Sequence, residues 1–489
     1  MRIGSNARVE AVPTLPREQL LKRFLARDPA DNGHFLFGVR TTGIYCLPGC
    51  RAKSPRLENV SFFVDPAAAR SAGLRACKRC RPDDFYRHHD PERERARALA
   101  TAVRAAPGDF ADIGDLARRA GLGATKLNAL FRHHFHLTPA DFLVRARVAR
   151  AAELLFAERA SVLTAAEASG FESASAFHEN FRAFTGLTPA AYREIDRGGE
   201  FRLALPTGFR PEELAGFFGR DEEGRTERVR GMTLTQATRL AGVPARIELE
   251  LGESVGRVRL RSTRKLPREA WRQAHARVIR WLGLESDPHG LERRASRSSE
   301  VARLVRGRRG LRIPRSAAIF EGLVWVVVGA QVNVSFAATC RAALIELCGT
   351  PAGEGFFAHP TPEAVAALDY ADLQRRQYSR RKAEYLIDAA RAIVAGELEL
   401  EAWRQEPVPL VQERLAAVRG LGPWSVQYLL LRAYGFEDCA PIGDVALAEA
   451  LKRFFDLEER PDAAEATRLM ETFAPHRSLA TYHLWKSLS

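Results

Sequence analysis

Two glycines near the C-terminal end of the chain have the spacing of a turn between helices. Gly420 and Gly422 follow a helical pattern over Gln412–Val418, and Pro423 precedes a second helical run over Val426–Tyr434. Glycine ends a helix, and proline is tolerated in the first turn of the next one. The pattern therefore predicts a helix-hairpin-helix, in which backbone N–H groups can grip a phosphate without reading a base.

An aspartate follows the second glycine by 22 residues. Asp444 comes directly after Gly443 and opens a predicted helix over Val445–Phe455. One interpretation is a simple helix N-cap. Another is a functional carboxylate, which a helix N-terminus keeps ionised. The two roles are compatible in one side chain.

Four clustered cysteines have the spacing of a metal site. Cys46 and Cys50 enclose three residues, and after a gap of 26 residues Cys77 and Cys80 enclose two. Two close pairs on separate turns can provide a tetrahedral set of thiolates, which predicts Zn²⁺ as the cofactor. The spacing alone is also typical of a purely structural zinc ribbon. The remaining cysteines are predicted to be buried core residues, namely Cys340, Cys348 and Cys439.

Length and charge restrict the class of protein. The chain has 489 residues and a net charge of +14, so we expect three or four domains and an anionic polymer as a partner. No run of 18 apolar residues exists, and the N-terminus has no apolar core of signal-peptide length. We therefore expect a cytoplasmic protein without a membrane partner, in which clustered cysteines indicate a metal site.

An internal repeat predicts a pair of helix-turn-helix units. The tetrapeptide at residues 137–140 recurs at 187–190, an offset of 50, and a basic helix is predicted between the copies over Ala140–Phe156. The second copy, residues 165–193, strongly resembles the AraC-type DNA-binding domain. The resemblance implies two recognition helices, with several side chains exposed toward a major groove. These helices are Gly123–His134 and Ser173–Phe184, and the side chains are Lys126, Asn128, His178 and Glu179.

The sequence around the cysteine pairs closely resembles the Ada-type methylphosphotriester acceptor domain. Three segments within residues 35–80 carry the resemblance, although Leu47 and Gly49 stand where that family often has Arg and Ser. It implies that Cys46 is both a zinc ligand and the acceptor of a methyl group. The DNA contacts expected from this match are Thr42, Lys53 and Arg75.

Methylation of Cys46 should change the affinity for DNA. Four thiolates outweigh the charge of Zn²⁺, so the site repels DNA until one thiolate becomes a neutral thioether. We expect the loss of one negative charge to strengthen phosphate binding by the cations nearby in sequence. These cations are Arg51, Lys53, Arg56, Arg75, Lys78, Arg79 and Arg81.

The glycine hairpin and Asp444 together resemble the helix-hairpin-helix DNA glycosylase superfamily. By this resemblance the hairpin glycines contact DNA and Asp444 is catalytic. Residues 320–332 resemble the segment of AlkA-type 3-methyladenine DNA glycosylases that leads to the residues entering the duplex. This implies that Gln331 and Val332 lie in the gap left by an extruded base. The alternative for Val332 is packing in a core.

Three aromatic residues are identified by the same resemblance as a pocket for the flipped base. Trp424 and Tyr428 lie four apart on a helix and share a face, and Trp485 matches a third position. Electron-rich rings suit a cationic base methylated at N3 or N7, and Asp444 would stabilise the oxocarbenium-like sugar. Glycosylases that also cut the strand carry a Lys nucleophile where this chain has Trp424, so we expect excision without strand cleavage.

These observations predict a multidomain protein, mainly α with α+β parts. A linker is predicted at Asp196–Glu200, and the alternating strands and helices beyond it resemble the N-terminal accessory domain of AlkA-type glycosylases. The predicted domains are a zinc and methyl-acceptor domain (14–90), an AraC-type domain (95–196), an accessory domain (200–290) and a helix-hairpin-helix glycosylase domain (305–489).

The function predicted from these resemblances is DNA alkylation repair coupled to transcription regulation. The partners are alkylated and promoter double-stranded DNA, with RNA polymerase as a further partner. Two alternatives stay open. In one, the chain is a regulator whose C-terminal half only binds DNA. In the other, the zinc site is structural and the N-terminal half only targets DNA.

Overall fold

The computed structural model of the protein describes residues 13, 15–28, 31–87, 89–219 and 224–488. Thr14 and Ser489, which bound two predicted domains, lie outside the described residues. The chain forms two compact units, the N-terminal unit (residues 1–95) and the C-terminal unit (residues 96–489). As predicted, the protein is multidomain and mainly helical, with smaller sheets.

The N-terminal unit is a small sheet with short helices. Its strands are β1 (Leu36–Val39), β2 (Ile44–Cys46), β3 (Val60–Phe63) and β4 (Arg75–Ala76), and its helices are α1 (Arg17–Ala26), α2 (Pro66–Ser71) and α3 (Pro82–Tyr86). The strand order is β3–β1–β2–β4, with β4 parallel to β2 and the other pairs antiparallel. Phe24, Phe37 and Phe62 pack edge to face in its core, which anchors the cysteine-bearing turns.

Seven helices form the double helix-turn-helix region among the described residues. They are α4 (Pro91–Ala105), which contains the division between the units, α5 (Ile113–Ala120), α6 (Ala124–Phe135), α7 (Pro139–Ala157), α8 (Val162–Ala168), α9 (Ala174–Thr185) and α10 (Pro189–Arg193). Helices α6 and α9 lie one residue further along the chain than the predicted recognition helices. Thr138, Ser173 and Thr188 accept a backbone N–H three residues ahead, which sets where α7, α9 and α10 begin.

The predicted faces of the recognition helices are confirmed. Their Leu and Phe positions are buried, namely Leu127, Leu130, Phe131, Phe177 and Phe181, except that Phe184 is half-buried. Their polar positions are exposed, namely Lys126, Asn128, His178 and Glu179. The exposed face is therefore open to a ligand.

An antiparallel sheet follows, in the order β5–β9–β8–β7–β6. Its strands are β5 (Glu200–Ala204), β6 (Glu227–Arg230), β7 (Thr233–Leu240), β8 (Val243–Leu251) and β9 (Val255–Arg261), and its helices are α11 (Pro211–Phe218) and α12 (Arg268–Trp281). Alternate residues of β7 and β8 point into the core, where α12 packs against them. This confirms the α+β character predicted for the region.

The helix-turn-helix region and this sheet share one hydrophobic core. Ile195, at the end of the former, belongs to the same buried cluster as Leu203 and Trp281. The segment predicted as a linker is a tight connection, since Asp196 pairs with Arg159 at 3.0 Å and β5 begins four residues later. Sequence reasoning missed this continuity because each apolar residue also suited a core within its own domain.

The C-terminal helical region (residues 283–488) completes the chain. Its helices are α13 (His289–Glu292), α14 (Ser299–Val305), α15 (Ile319–Gly329), α16 (Val334–Cys348), α17 (Pro362–Ala366), α18 (Tyr370–Gln374), α19 (Arg380–Val394), α20 (Val408–Ala416), α21 (Pro423–Leu429), α22 (Val445–Phe454), α23 (Ala463–Met470) and α24 (Arg477–Lys486), and a hairpin of β10 (Thr350–Gly353) and β11 (Phe356–Ala358) interrupts them. A π-helical turn extends α21 over Leu430–Tyr434. Among the described helices, none has the length and apolar character needed to cross a membrane.

The three scattered cysteines follow the prediction with one exception. Cys340 and Cys439 are each 2% exposed and lie in the main core of the helical region. Cys348, the last residue of α16, is only half-buried.

The helix-turn-helix region also contacts the C-terminal helical region directly. The backbone N–H of Asp438 donates to Nδ1 of His136 at 3.1 Å, and Arg145 pairs with Glu437 at 3.1 Å. Burial lowers the pKa of His136 to about 4, so the imidazole is a neutral acceptor at neutral pH. These contacts hold the end of α6 against the loop that leads to Asp444.

Candidate functional site

A tight hairpin between α20 and α21 lies at the surface. Gly420 has a φ of +93°, and a Cβ at this position would lie 2.4 Å from the ring of Tyr385, so glycine is required. Gly422 is the N-cap of α21, and Pro423 occupies its first turn. Both glycines are exposed, as the close approach of a DNA phosphate requires.

The arginine of the hairpin is directed back onto the protein. Arg419 donates to Glu384 at 3.0 Å and lies 3.4 Å from Asp388. Its guanidinium also lies 5.4 Å from the ring centre of Tyr385. These contacts fix the hairpin to α19 and hold the Arg419 side chain against the protein.

Asp444 caps α22, as the N-cap interpretation predicts, and it also binds two indoles. Its Oδ1 accepts the N–H of Leu447 at 2.8 Å. Nε1 of Trp424 lies 3.0 Å from Oδ2, and Nε1 of Trp485 lies 3.0 Å from Oδ1. The side chain is half-buried, so solvent reaches a carboxylate that three donors hold in place.

The predicted pocket residues form one aromatic surface beside Asp444. The ring centre of Tyr428 lies 5.5 Å from that of Trp424 and 6.0 Å from that of Trp485, with interplanar angles of 40°. All three rings are half-buried and pack on the main core. We call Trp424, Tyr428 and Trp485 the aromatic trio. The fold thus brings together residues from α21, α22 and α24 that are distant in sequence.

The residues predicted to enter the duplex lie in the turn between α15 and α16. Gln331 is exposed, with a left-handed φ of +58°, whereas Val332 is half-buried against the main core. Val334, which sequence reasoning missed, is 64% exposed. Lys382 Nζ donates to the carbonyl of Val328 at 2.7 Å and so holds the end of α15. Val332 and Val334 both lie between polar residues, so the sequence gives no sign of which valine will face solvent.

The four clustered cysteines meet as predicted, with all Sγ atoms within 4.8 Å of one another. We call Cys46, Cys50, Cys77 and Cys80 the sulfur cluster. Hydrogen bonding to Cys80 and burial raise the pKa of Cys46, and the hydrogen bond from Cys46 lowers the pKa of Cys80 to about 6. Four thiolates this close repel one another, so a cation has to neutralise them. The donor set, spacing and burial fit Zn²⁺.

The members of the sulfur cluster differ in exposure. Cys46 is 4% exposed, Cys50 3% and Cys77 8%, whereas Cys80 is half-buried. Exposure alone therefore favours Cys80 as the sulfur that DNA can reach, whereas the family resemblance assigns methyl acceptance to Cys46.

The three predicted DNA contacts of this unit are all exposed. Thr42 lies in the turn between β1 and β2, and the N–H of Arg75 donates to the carbonyl of Gly43 at 2.8 Å. Lys53 lies in the loop after Cys50. Several neighbouring cations have no ion pair with any described residue. They are Arg51, Lys53, Arg75, Lys78, Arg79 and Arg81.

Comparison with known families divides the chain into three matched parts. Residues 19–83 match the metal binding domain of Ada, residues 116–195 match a helix-turn-helix domain family, and residues 324–476 match the HhH-GPD superfamily of base excision DNA repair proteins. The three matches follow the order of the sulfur cluster, the double helix-turn-helix and the hairpin with Asp444.

Relatives with similar sequences exist over the whole chain and over its N-terminal part. The chain is 27% identical over 496 residues to the probable bifunctional transcriptional activator/DNA repair enzyme AlkA of Mycobacterium tuberculosis, covering 96% of each. It is 33% identical over 192 residues to the bifunctional transcriptional activator/DNA repair enzyme Ada of Escherichia coli, covering 39% of this chain and 53% of that protein.

A solved structure shares the fold of part of this chain. The 3-methyladenine DNA glycosylase from Archaeoglobus fulgidus superposes with a TM-score of 0.52 at 22% identity, covering 58% of this chain and 97% of that one. At this level of identity the similarity establishes the fold alone.

Proposed function

We propose that this chain, in which an Ada-type metal-binding domain, a helix-turn-helix domain and an HhH-GPD repair domain follow one another, is a DNA alkylation-repair protein. Its C-terminal half is a DNA glycosylase that excises alkylated bases such as 3-methyladenine and 7-methylguanine. Its N-terminal half accepts a methyl group and regulates transcription. The observation that carries the proposal is the half-buried Asp444 carboxylate, which accepts hydrogen bonds from two members of the aromatic trio. One of them, Trp424, lies in the helix that begins at the exposed glycine hairpin.

The glycosylase first holds the duplex and turns the damaged nucleotide out of the stack. The exposed N–H groups at Gly420 and Gly422 bind a phosphate near the lesion. Gln331 and Val332 occupy the gap left in the duplex, which stabilises the unstacked state. The extruded base then stacks on the aromatic trio.

The chemistry of excision needs one anion and little acid catalysis. A purine methylated at N3 or N7 is positively charged, so it is attracted to electron-rich rings and leaves readily. The bond between C1′ and the base nitrogen breaks, and its electron pair leaves with the base. Asp444 stabilises the positive charge that develops on the sugar. Water bonds to C1′ and loses a proton, which leaves an abasic strand.

Strand cleavage does not follow excision in this scheme. In the glycosylase superfamily that this chain resembles, strand cleavage requires an amine that forms a Schiff base with C1′. Trp424 stands at the position of that amine. An indole nitrogen cannot form that bond, so the abasic strand stays intact.

The N-terminal half removes a methyl group from DNA phosphate once. The Cys46 sulfur attacks the methyl carbon of a methylphosphotriester, so that a sulfur–carbon bond forms, a carbon–oxygen bond breaks and the phosphodiester leaves as an anion. Cys46, Cys50, Cys77 and Cys80 would hold Zn²⁺, which keeps thiols deprotonated at neutral pH. Because a thioether is a poor leaving group, Cys46 is consumed.

The same methylation regulates transcription. Loss of one negative charge beside Lys53, Arg75 and the neighbouring cations strengthens binding to promoter DNA. The helix-turn-helix units read the promoter, and RNA polymerase is the further partner. We assign the protein to the cytoplasm, where reducing conditions keep the cysteines as thiols. Its domains are residues 14–90, 95–196, 200–290 and 305–489.

Release of free bases from N-methylated duplex DNA tests the glycosylase. We expect the full chain to release methylated purines, as measured by chromatography of the soluble fraction, and Asp444→Asn to bind the duplex without releasing them. If the wild-type protein binds DNA and releases no base, the chain is a regulator without excision activity.

A further inference from the structure

Two members of the aromatic trio touch Asp444 through their ring edges. The indole N–H of Trp424 donates to Oδ2 and that of Trp485 donates to Oδ1, each at a distance of 3.0 Å. The backbone N–H of Leu447 also donates to Oδ1, at 2.8 Å. A carboxylate has about four acceptor positions. Donors among the described residues use three of them, which leaves one open position on Oδ2.

The donors belong to three separate helices. Trp424 is the second residue of α21, directly after the glycine hairpin, and Trp485 lies near the end of α24. Leu447 lies in α22, the helix that Asp444 itself caps. The carboxylate is therefore tied both to the element that grips DNA and to the wall of the base pocket.

Stacking on a base does not account for these hydrogen bonds. Tyr428 lies between the two indoles, with ring centres 5.5 Å and 6.0 Å away, and no hydrogen bond joins it to Asp444 among the described residues. A stacked base needs only aromatic faces at these positions. The N–H groups of Trp424 and Trp485 therefore have a role of their own.

We propose that Trp424 and Trp485 are positioning residues, whose indole N–H groups hold the Asp444 carboxylate with the open position of Oδ2 directed at the sugar of the flipped nucleotide. This inference rests on the proposed glycosylase function and deepens it. Donors that are already in place stabilise charge in the transition state without reorganisation. A carboxylate released from one donor can rotate and bind water instead, so excision slows while the aromatic faces still bind the base.

The test removes the N–H and keeps the ring. Each tryptophan is replaced in the full chain by 3-benzothienylalanine, in which sulfur stands where the indole has its N–H. We expect the single-turnover rate of base release to fall about tenfold for each replacement, as for loss of one hydrogen bond to a charged group. The affinity for a duplex with a stable abasic-site analogue should stay at the wild-type value.

Trp281 provides a matched control for the replacement itself. It is fully buried, and its Nε1 has no hydrogen-bond partner among the described residues. The same exchange at residue 281 should leave both the rate and the affinity unchanged. Wild-type rates in both test variants would overturn the proposal, and so would a loss of affinity at an unchanged rate.

A second measurement separates this inference from the proposed function. Indole ¹⁵N–¹H resonances report the hydrogen bonds whether or not the protein excises bases. Asp444→Ala should move the resonances of Trp424 and Trp485 and leave that of Trp281 in place. Resonances that do not move would overturn the inference, whereas absent base release by wild-type protein with the expected shifts would overturn only the glycosylase assignment.

Discussion

The sulfur cluster of the N-terminal unit and the Asp444 carboxylate of the C-terminal unit are stabilised in opposite ways. The cluster gathers four groups that repel one another as anions and therefore needs a cation. The carboxylate is a single anion that three N–H donors stabilise without one.

The two sites also differ in how far apart in sequence their residues lie. The four cysteines all fall within residues 46–80 of one small unit. The indole donors of Asp444 lie 20 and 41 residues away from it in sequence, on other helices. The sulfur cluster is thus built from one short stretch, whereas the contacts of Asp444 come from residues spread over 424–485. Each prediction below tests one side of this difference.

The largest expected effect is at Cys46. Cys46→Ser should abolish stoichiometric methyl transfer from methylphosphotriester DNA, because the nucleophilic sulfur is gone. Mass spectrometry of the N-terminal peptides measures the added methyl group. Base release should be unaffected, since the C-terminal unit does not depend on this sulfur.

Cys80→Ser and Cys348→Ser complete that experiment. Cys348 lies outside the sulfur cluster, so its replacement should leave methyl transfer intact. A methyl group found on the half-buried Cys80 of the wild-type protein would show that exposure, and not the family resemblance, selects the acceptor.

The next largest effect is at Asp444. Asp444→Asn should slow base release at least about a hundredfold, because the transition state loses its stabilising anion. DNA binding should persist, since the asparagine oxygen can still accept the N–H of Leu447 and cap α22. Single-turnover release and a binding titration measure the two properties. Wild-type rates in the variant would remove Asp444 from the mechanism.

A smaller effect tests the dependence of the C-terminal unit on distant packing. Burial lowers the pKa of His136 to about 4, against an ordinary value of 6.5. Between these values the unfolded chain binds a proton that the folded chain does not, so stability falls as the pH drops through this range. The loss is at most about 3 kcal/mol, and His136→Gln should remove it.

Denaturant unfolding near pH 7 and pH 4.5 measures this effect through tryptophan fluorescence. All six tryptophans lie in the C-terminal unit, so the signal reports that unit alone. His178→Gln is the control, because His178 is exposed on α9. An unchanged pH dependence in His136→Gln would mean that the burial of His136 is not the cause of the loss of stability.

The smallest expected effect is the gain in promoter affinity on methylation. One unit of negative charge is lost beside cations that have no ion pair with any residue the structure describes, so binding should tighten, and the gain should shrink as salt rises. Titrations of methylated and unmethylated protein at several salt concentrations measure it. Equal affinities at low salt would refute the charge mechanism and leave methyl transfer untouched.

The sequence was sufficient for the elements whose signals are local. The glycine hairpin, the N-cap role of Asp444, the recognition helices and the meeting of the four cysteines all follow from spacing and residue type. Helix periodicity also identified Trp424 and Tyr428 as neighbours on one face. Trp485 was identified only through the family resemblance, because no pattern in the nearby sequence places it beside Trp424 and Tyr428.

The features that sequence reasoning missed depend on contacts between distant segments. Three such features are the core shared by Ile195 and Leu203, the contact of His136 with Asp438, and the hydrogen bonds from both indoles to Asp444. In each of them, the sequence around either residue does not indicate the contact with the other. Val334 was missed because the exposure of a valine at the start of a helix depends on how the adjacent helices pack.

The most direct test of the central claim is product analysis after wild-type protein acts on an N-methylated duplex. We expect free 3-methyladenine and 7-methylguanine in solution, together with a strand that stays unbroken until alkali cleaves its abasic sites. Borohydride should trap no covalent protein–DNA adduct. Absence of free base would contradict the assignment of this chain as a glycosylase. A strand cut by the protein, together with a trapped adduct, would contradict excision without strand cleavage.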